Sequence, residues 1–351
     1  MSTPILLAGM ALLGQADPLA APPEVHQWAR RATGIQPGVK PKLQALLTAI
    51  FAPTSEGGTG LGITYDNSRT RSVAEVWQDR KANCLSLTAF YTAACRSLGI
   101  EARPAEPLNT NRWRRSGSMI RFERHVVAVV SLPPLEEVVA DFLPQLRKRT
   151  GYYLVNIMTE ARFRSLYHSN RAVEALDAGE KAQAEAEADL AIRVDPTSSV
   201  GWNIRGVVLN NLDRKADAET CFRRAIALDP RDGTPVGNME MLARGLGRFE
   251  EAIHFRALGM DLRKKDPYYH AFLADEAMEE GRWADAAKEV KAALKIQPYE
   301  SEFHLLQVRI HLQEGKADAA MESLEKARRW AIREERDRYD SKIAALKQQR
   351  Q

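Results

Sequence analysis

Small and apolar positions follow two different rhythms along this chain. In the C-terminal half, Ala184, Ala218, Ala252, Ala286 and Ala320 stand 34 residues apart. Seven residues on, Ala191, Ala225, Ala293 and Ala327 keep the same step, with Gly259 filling the third place. Two ladders of small residues at one period predict a repeated pair of helices that approach closely at those positions. Gly179, Gly247, Gly281 and Gly315 mark the turn inside each pair, and Asp213 takes that place in the second repeat. Asp195-Pro196, Asp229-Pro230 and Gln297-Pro298 end three of the second helices, because proline cannot continue a helix. Five repeats over residues 165–332 exceed the three needed to bury a continuous core, and the charged stretch 333–351 reads as a solvating cap helix.

The N-terminal half has no such period and mixes helical with strand-like patterns. Ser72 and Glu75 form a capping box that opens a short helix through Trp77. Residues 84–98 make an apolar, buried-looking helix stopped by Gly99. Residues 100–104, 125–131 and 138–141 are short and β-branched, with Pro133-Pro134 between the last two, and predict adjacent strands. An α+β layer, with the buried helix packed on an antiparallel sheet, is the expected fold of residues 36–160. Residues 4–14 are apolar but too short to span a bilayer, so no transmembrane segment is predicted. They resemble the core of an export signal, with Ala16, Ala20 and Ala21 as small residues for cleavage, yet no Lys or Arg precedes Arg30. Residues 1–35 therefore read as a mobile, packed or signal-like leader, and the compartment, cytoplasm or cell envelope, stays open.

Composition adds exclusions. With 44% hydrophobic and 27% charged residues the chain reads as globular, and a net charge of +4 over 351 residues gives no dedicated nucleic-acid stripe. The three cysteines, Cys84, Cys95 and Cys221, form no disulfide framework. The first two lie eleven residues apart on one predicted helix, about 16 Å of rise. No Cys or His pair has zinc-ligand spacing, and neither a metal nor a cofactor is expected.

Candidate chemistry centres on Asn83-Cys84. A thiol attacks an amide carbonyl only as its thiolate, and a helix N-terminus together with a histidine favours that form. The same N-terminal amides suit the oxyanion of a tetrahedral intermediate. His125 is expected to begin one strand and Asp141 to end the next, side by side in a hairpin, so that the carboxylate orients the imidazole. Cys84, His125 and Asp141 thus read as nucleophile, base and orienter, whereas Cys95 and Cys221 read as inert core. The basic stretch Arg112, Trp113, Arg114, Arg115, with Arg121, Phe122 and Arg124, is expected to be a loop at the rim of the cleft. A single-strand nucleic-acid platform is the lesser reading of it, and no nucleic-acid partner is expected. Residues 147–149 (RKR) would add to that rim.

Two resemblances follow from these residues. Trp202, Gly206, Ala218, Phe222, Ala225 and Pro230 occupy the signature positions of the tetratricopeptide repeat, although His168, Val236, His270 and His304 stand where the other repeats would carry Trp. Residues 80–90 (RKANCLSLTAF), 95–103 (CRSLGIEAR), 124–129 (RHVVAV) and 139–141 (VAD) resemble the transglutaminase-like superfamily, related to papain, over about residues 43–143. Ala82 departs from that family's Gly two residues before the cysteine, and Val127 from its aromatic after the histidine. The combination resembles bacterial transglutaminase-like proteins carrying repeats. It implies a cysteine peptidase or amidase, with hydrolysis favoured over cross-linking, and a repeat array whose concave face recruits a protein or peptide. The alternative is a binding scaffold whose N-terminal domain is kept for its shape alone. Substrate and oligomeric state are not encoded in any feature of the sequence.

Overall fold

A computed structural model describes residues 17–108, 112–116, 119–132, 136–142, 154–331 and 333–348. The apolar run 4–14 and Ala16 lie outside the described residues, as do residues 147–149. The chain forms two compact units. The first comprises Met1–Glu106, Val126–Phe142 and Asn156–Ile253; the second comprises Pro107–His125, Leu143–Val155 and His254–Gln351.

The first unit begins with α1 (Pro23–Thr33) and α2 (Val39–Phe51). Val25, Trp28 and Ala29 of α1 are buried in the main core, so residues 23–33 belong to the domain rather than to a leader ahead of it. The strand β1 (Thr64–Tyr65) pairs in parallel with β2 (Lys81–Ala82), and α3 (Val73–Asp79) lies between them. Both arms of the Ser72/Glu75 capping box are made. Next comes α4 (Cys84–Ser97), largely apolar and buried without a break from Leu85 to Cys95. Trp28 meets Phe90 at 5.5 Å between ring centroids, and Tyr91 meets Phe142 edge-on at the same separation. Gly99 follows the helix at φ 72°, a left-handed turn in which a β-carbon is costly.

A four-stranded sheet backs this helix in the order β7-β6-β3-β8, with β3 at Ala102–Pro107, β6 at Val127–Leu132, β7 at Glu136–Ala140 and β8 at Val155–Ile157. The strands β6 and β7 form the expected antiparallel pair, with Ala128 opposite Ala140. Then α5 (Glu160–Asp177) and α6 (Lys181–Val194), α7 (Ser199–Asn211) and α8 (Lys215–Leu228) form two helical pairs, followed by α9 (Gly233–Gly245). The helix α5 belongs to two structures at once. It opens the repeats, yet its Phe163 lies in the N-terminal core and its Glu160 pairs with Arg96 of α4 at 2.6 Å.

The helix α10 (Phe249–Arg263) leads into the second unit, which holds α11 (Pro267–Glu279), α12 (Trp283–Ile296), α13 (Ser301–Gln313), α14 (Ala317–Trp330) and α15 (Arg333–Gln348). Tyr339 of α15 is buried with Ala320, Leu324 and Ala327, so this helix caps the array. The hairpin β4 (Arg112–Ser116) and β5 (Met119–Glu123) also belongs here, with β4 running beside α11. The repeat grammar is explicit in the backbone: Gly179, Gly247, Gly281 and Gly315 all have φ between 70° and 80°, and Asp213 reaches 63° in the same role. At two of the three positions where histidine replaces the signature tryptophan, a glutamate 19 residues on completes it, whereas His304 Nε2 lies 2.9 Å from the Pro298 carbonyl. His168 Nδ1 lies 2.7 Å from Glu187 Oε2, and His270 Nδ1 lies 2.6 Å from Glu289 Oε2.

Candidate functional site

Cys84 is the first residue of α4 and is half-buried, while Cys95 and Cys221 are buried. Burial pushes the Cys95 thiol up to about 12, and burial raises that of Cys221 as well, against a hydrogen bond from Arg205. Asn83 caps the helix: its Oδ1 accepts the Ser86 amide at 2.9 Å. Its Nδ2 donates to Thr70 Oγ1 at 2.8 Å, so both ends of a buried amide are satisfied. The loop before α3 is tied down beside this cap. The Arg71 amide donates to Ser86 Oγ at 2.7 Å, and the buried Arg71 guanidinium grips Asp66 at 3.0 Å and Asp79 at 2.8 Å.

Sequence reasoning missed Tyr65. Its register places it opposite Ala82 on the strand pair that leads into Cys84. Its phenol lies close to Cys84. Desolvation of the hydroxyl, reinforced by the neighbouring sulfur, pushes this phenol well above its ordinary value. A residue 19 positions upstream gives no local signal of such a contact; only the β1–β2 pairing reveals it.

One turn beyond Cys84 on the same face of α4, Thr88 Oγ1 donates to the Val126 carbonyl at 3.3 Å. Val126 is peptide-bonded to His125. His125 is buried, and it lies two residues ahead of β6, which starts at Val127. Asp141, also buried, follows directly after β7 rather than ending it. Both differences are of one or two residues, since pairing in this ladder stops at Ala128 and Ala140.

The basic stretch is a hairpin and not a loop. Trp113 pairs with Phe122, Arg114 with Arg121 and Arg115 with Ile120, an antiparallel register joined across residues 117–118. Arg124 is exposed just after it. Among the described residues no group of three or more His, Cys, Asp or Glu side chains is placed to hold a metal ion. Among them, too, no helix is long and apolar enough to cross a membrane.

Comparison with known proteins divides the chain into an N-terminal domain and a repeat region. Residues 27–141 match the transglutaminase-like superfamily, and residues 169–233 and 273–333 match the tetratricopeptide repeat. No curated protein matches the chain. Similar solved structures include YrrB, described as a TPR protein with an unusual peptide-binding site, at 17% identity over 47% of this chain and 86% of that one, with a TM-score of 0.26. Pseudomonas aeruginosa pilF is 17% identical over 54% of this chain and 92% of that one, with a TM-score of 0.29. Yeast Tom70 is 16% identical over 53% and 47%, with a TM-score of 0.28.

Proposed function

From a chain that joins a transglutaminase-like domain to tetratricopeptide repeats, we propose a cysteine-dependent enzyme that transfers acyl groups from the amide bonds of a protein or peptide. The observation that carries this reading is the placement of Cys84. It stands half-buried at a capped helix N-terminus, one turn from a hydroxyl bonded to the carbonyl next to His125. In the proposed cycle His125 takes the thiol proton and Cys84 Sγ bonds to the amide carbon. The tetrahedral oxyanion meets the amides of the first turn of α4, whose partial positive charge it complements. Collapse breaks the C–N bond as His125 returns the proton to the leaving nitrogen, giving an acyl-thioester and a free amine or ammonia. A water activated by the same histidine then adds to the thioester, releasing a carboxylic acid and the thiol. Asp141 holds the imidazole in the required tautomer. Hydrolysis is the favoured second half, with an amine in place of water giving a cross-link, and the repeats recruit the substrate on their concave face.

One observation favours the second reading, a binding scaffold: the Tyr65 phenol crowds Cys84 where a substrate would have to bind. Turnover separates the two. The protein is incubated with unfolded polypeptides that carry lysine and glutamine; new N-termini report hydrolysis, while ammonia release with cross-links reports transfer. Enzyme action requires both signals to vanish in Cys84→Ser and in His125→Ala. Full turnover in either variant, or none in the native protein, leaves the scaffold.

A further inference from the structure

The network around the Asn83 cap reaches into the repeat array. Thr70 is fully buried, and its amide and its hydroxyl oxygen are both held. Its amide donates to Glu174 Oε1 at 2.6 Å, and its Oγ1 accepts from Asn83 Nδ2 at 2.8 Å and from Asn170 Nδ2 at 3.2 Å. Asn170 and Glu174 lie one turn apart on α5, the first helix of the array. We propose that Asn170 and Glu174 are positioning residues for Cys84, acting through Thr70 and Asn83. The inference rests on Cys84 being the nucleophile of the reading above.

The geometry leaves Asn83 little choice. Its amide must present oxygen to Ser86 N–H and nitrogen to an acceptor, and inside the core that acceptor is Thr70 Oγ1. A flipped amide would set its NH2 against the Ser86 N–H and strand both donors. The Ser86 N–H thus sets which way the amide faces, Thr70 holds its other end, and Thr70 is itself held from α5. The helix is a firm base for this task. Phe163 anchors it in the core, Glu160 pairs with Arg96, and Arg164 grips Asp17 at 2.9 Å through one guanidinium nitrogen and at 3.1 Å through another. Loss of Glu174 leaves the buried Thr70 amide without its partner, and loss of Asn170 removes one of the two donors that hold Thr70 Oγ1 in place, so the first turn of α4 loosens where the thiol is held. The nucleophile is thus supported by a helix that belongs to the recognition array, although 86 residues of sequence separate Cys84 from Asn170.

The test uses the full chain and follows iodoacetamide modification of Cys84 at pH 7 by peptide mass spectrometry, with buried Cys95 and Cys221 as internal references. Asn170→Ala and Glu174→Ala are expected to slow Cys84 modification about fivefold, the scale of a lost helix cap, while circular dichroism stays native. Glu174→Gln keeps an oxygen for the Thr70 amide and Thr70→Ser keeps the hydroxyl, and both should retain the native rate. Folded Asn170→Ala and Glu174→Ala proteins that react at the native rate overturn the proposal and leave the nucleophile intact. A native Cys84 that reacts no faster than Cys95 and Cys221 overturns the nucleophile, and this inference with it. Conservative variants that slow as much as the alanines also refute it, because shape rather than hydrogen bonding would then be at work.

Discussion

Alanine at Gly206 and alanine at Gly237 are the same substitution in the same kind of helix, with opposite expected signs. A β-carbon on Gly206 of α7 would stand 2.5 Å from Cε1, 2.6 Å from Cδ1 and 3.1 Å from Cζ of Phe222. Ordinary contact begins near 3.4 Å, so the ring must retreat by about 1 Å. Phe222 is buried against α7 from α8 and has nowhere to go, and overpacking of this kind costs about 1–3 kcal/mol. Against that, alanine gains about 1 kcal/mol of helix propensity over glycine. With contacts this short the steric cost lies toward the upper end of that range and wins, for a net loss of up to about 2 kcal/mol. Gly237 of α9 has nothing within 4 Å of its β-carbon, so there the propensity gain stands alone. Urea unfolding followed by circular dichroism reads both variants. Phe222→Leu closes the cycle: in that background Gly206→Ala should lose most of its penalty. If Gly206→Ala is as stabilising as Gly237→Ala, the close packing of α7 on α8 is wrong.

Other expectations follow from charge and burial. Glu300, whose Oε2 accepts from the Tyr268 hydroxyl and from Gln297, is pushed up to about 7 by burial and then by the neighbouring Glu302. Its folded value exceeds the ordinary 4.5, so the stability it contributes is complete below pH 4.5 and lost as pH rises through 7. At about 1.4 kcal/mol per pH unit that loss is about 3 kcal/mol. Glu300→Gln should therefore match the native protein in thermal unfolding at pH 4.5 and exceed it at pH 8; an equal difference at both refutes the assignment. Asp17 behaves oppositely: burial raises its carboxyl, but the Arg164 hydrogen bonds outweigh this and hold it below 3.8. Its contribution is present above pH 3.8 and lost as pH falls below, so Asp17→Asn should cost about 1–2 kcal/mol at pH 7 and almost nothing near pH 2. Cys95 and Cys221 should resist iodoacetamide in the native protein and react only after denaturation; fast native labelling of either would contradict the packing of α4 or α8.

What the sequence made legible was local or periodic. The 34-residue ladders located the helical pairs, and the turn residues, including Asp213, carry the left-handed backbone that the pattern requires. Asn83 and the Ser72/Glu75 box marked helix starts because capping is settled within four residues. Features set by distant partners stayed hidden. The hairpin at 112–123 read as a loop because its charges mask the alternation, and β8, three residues long, gave no pattern at all. The helix α1 looked like part of a leader, since its value to the fold lies in Trp28 meeting Phe90 across 62 residues. At the candidate site, Cys84 announced itself through its helix. Tyr65 and the Thr70 network depend on contacts that no spacing rule encodes. The boundary between domain and array had no linker to betray it, because α5 serves both.

The central claim is that Cys84 is a nucleophile served by His125. Competitive alkylation at pH 7 tests it most directly, with the native protein, His125→Ala and glutathione as a reference thiol exposed to the same limiting iodoacetamide. The account predicts that native Cys84 is modified well ahead of glutathione and that His125→Ala removes this lead while the fold persists. A Cys84 that reacts at or below the rate of glutathione, or one indifferent to the loss of His125, would contradict it.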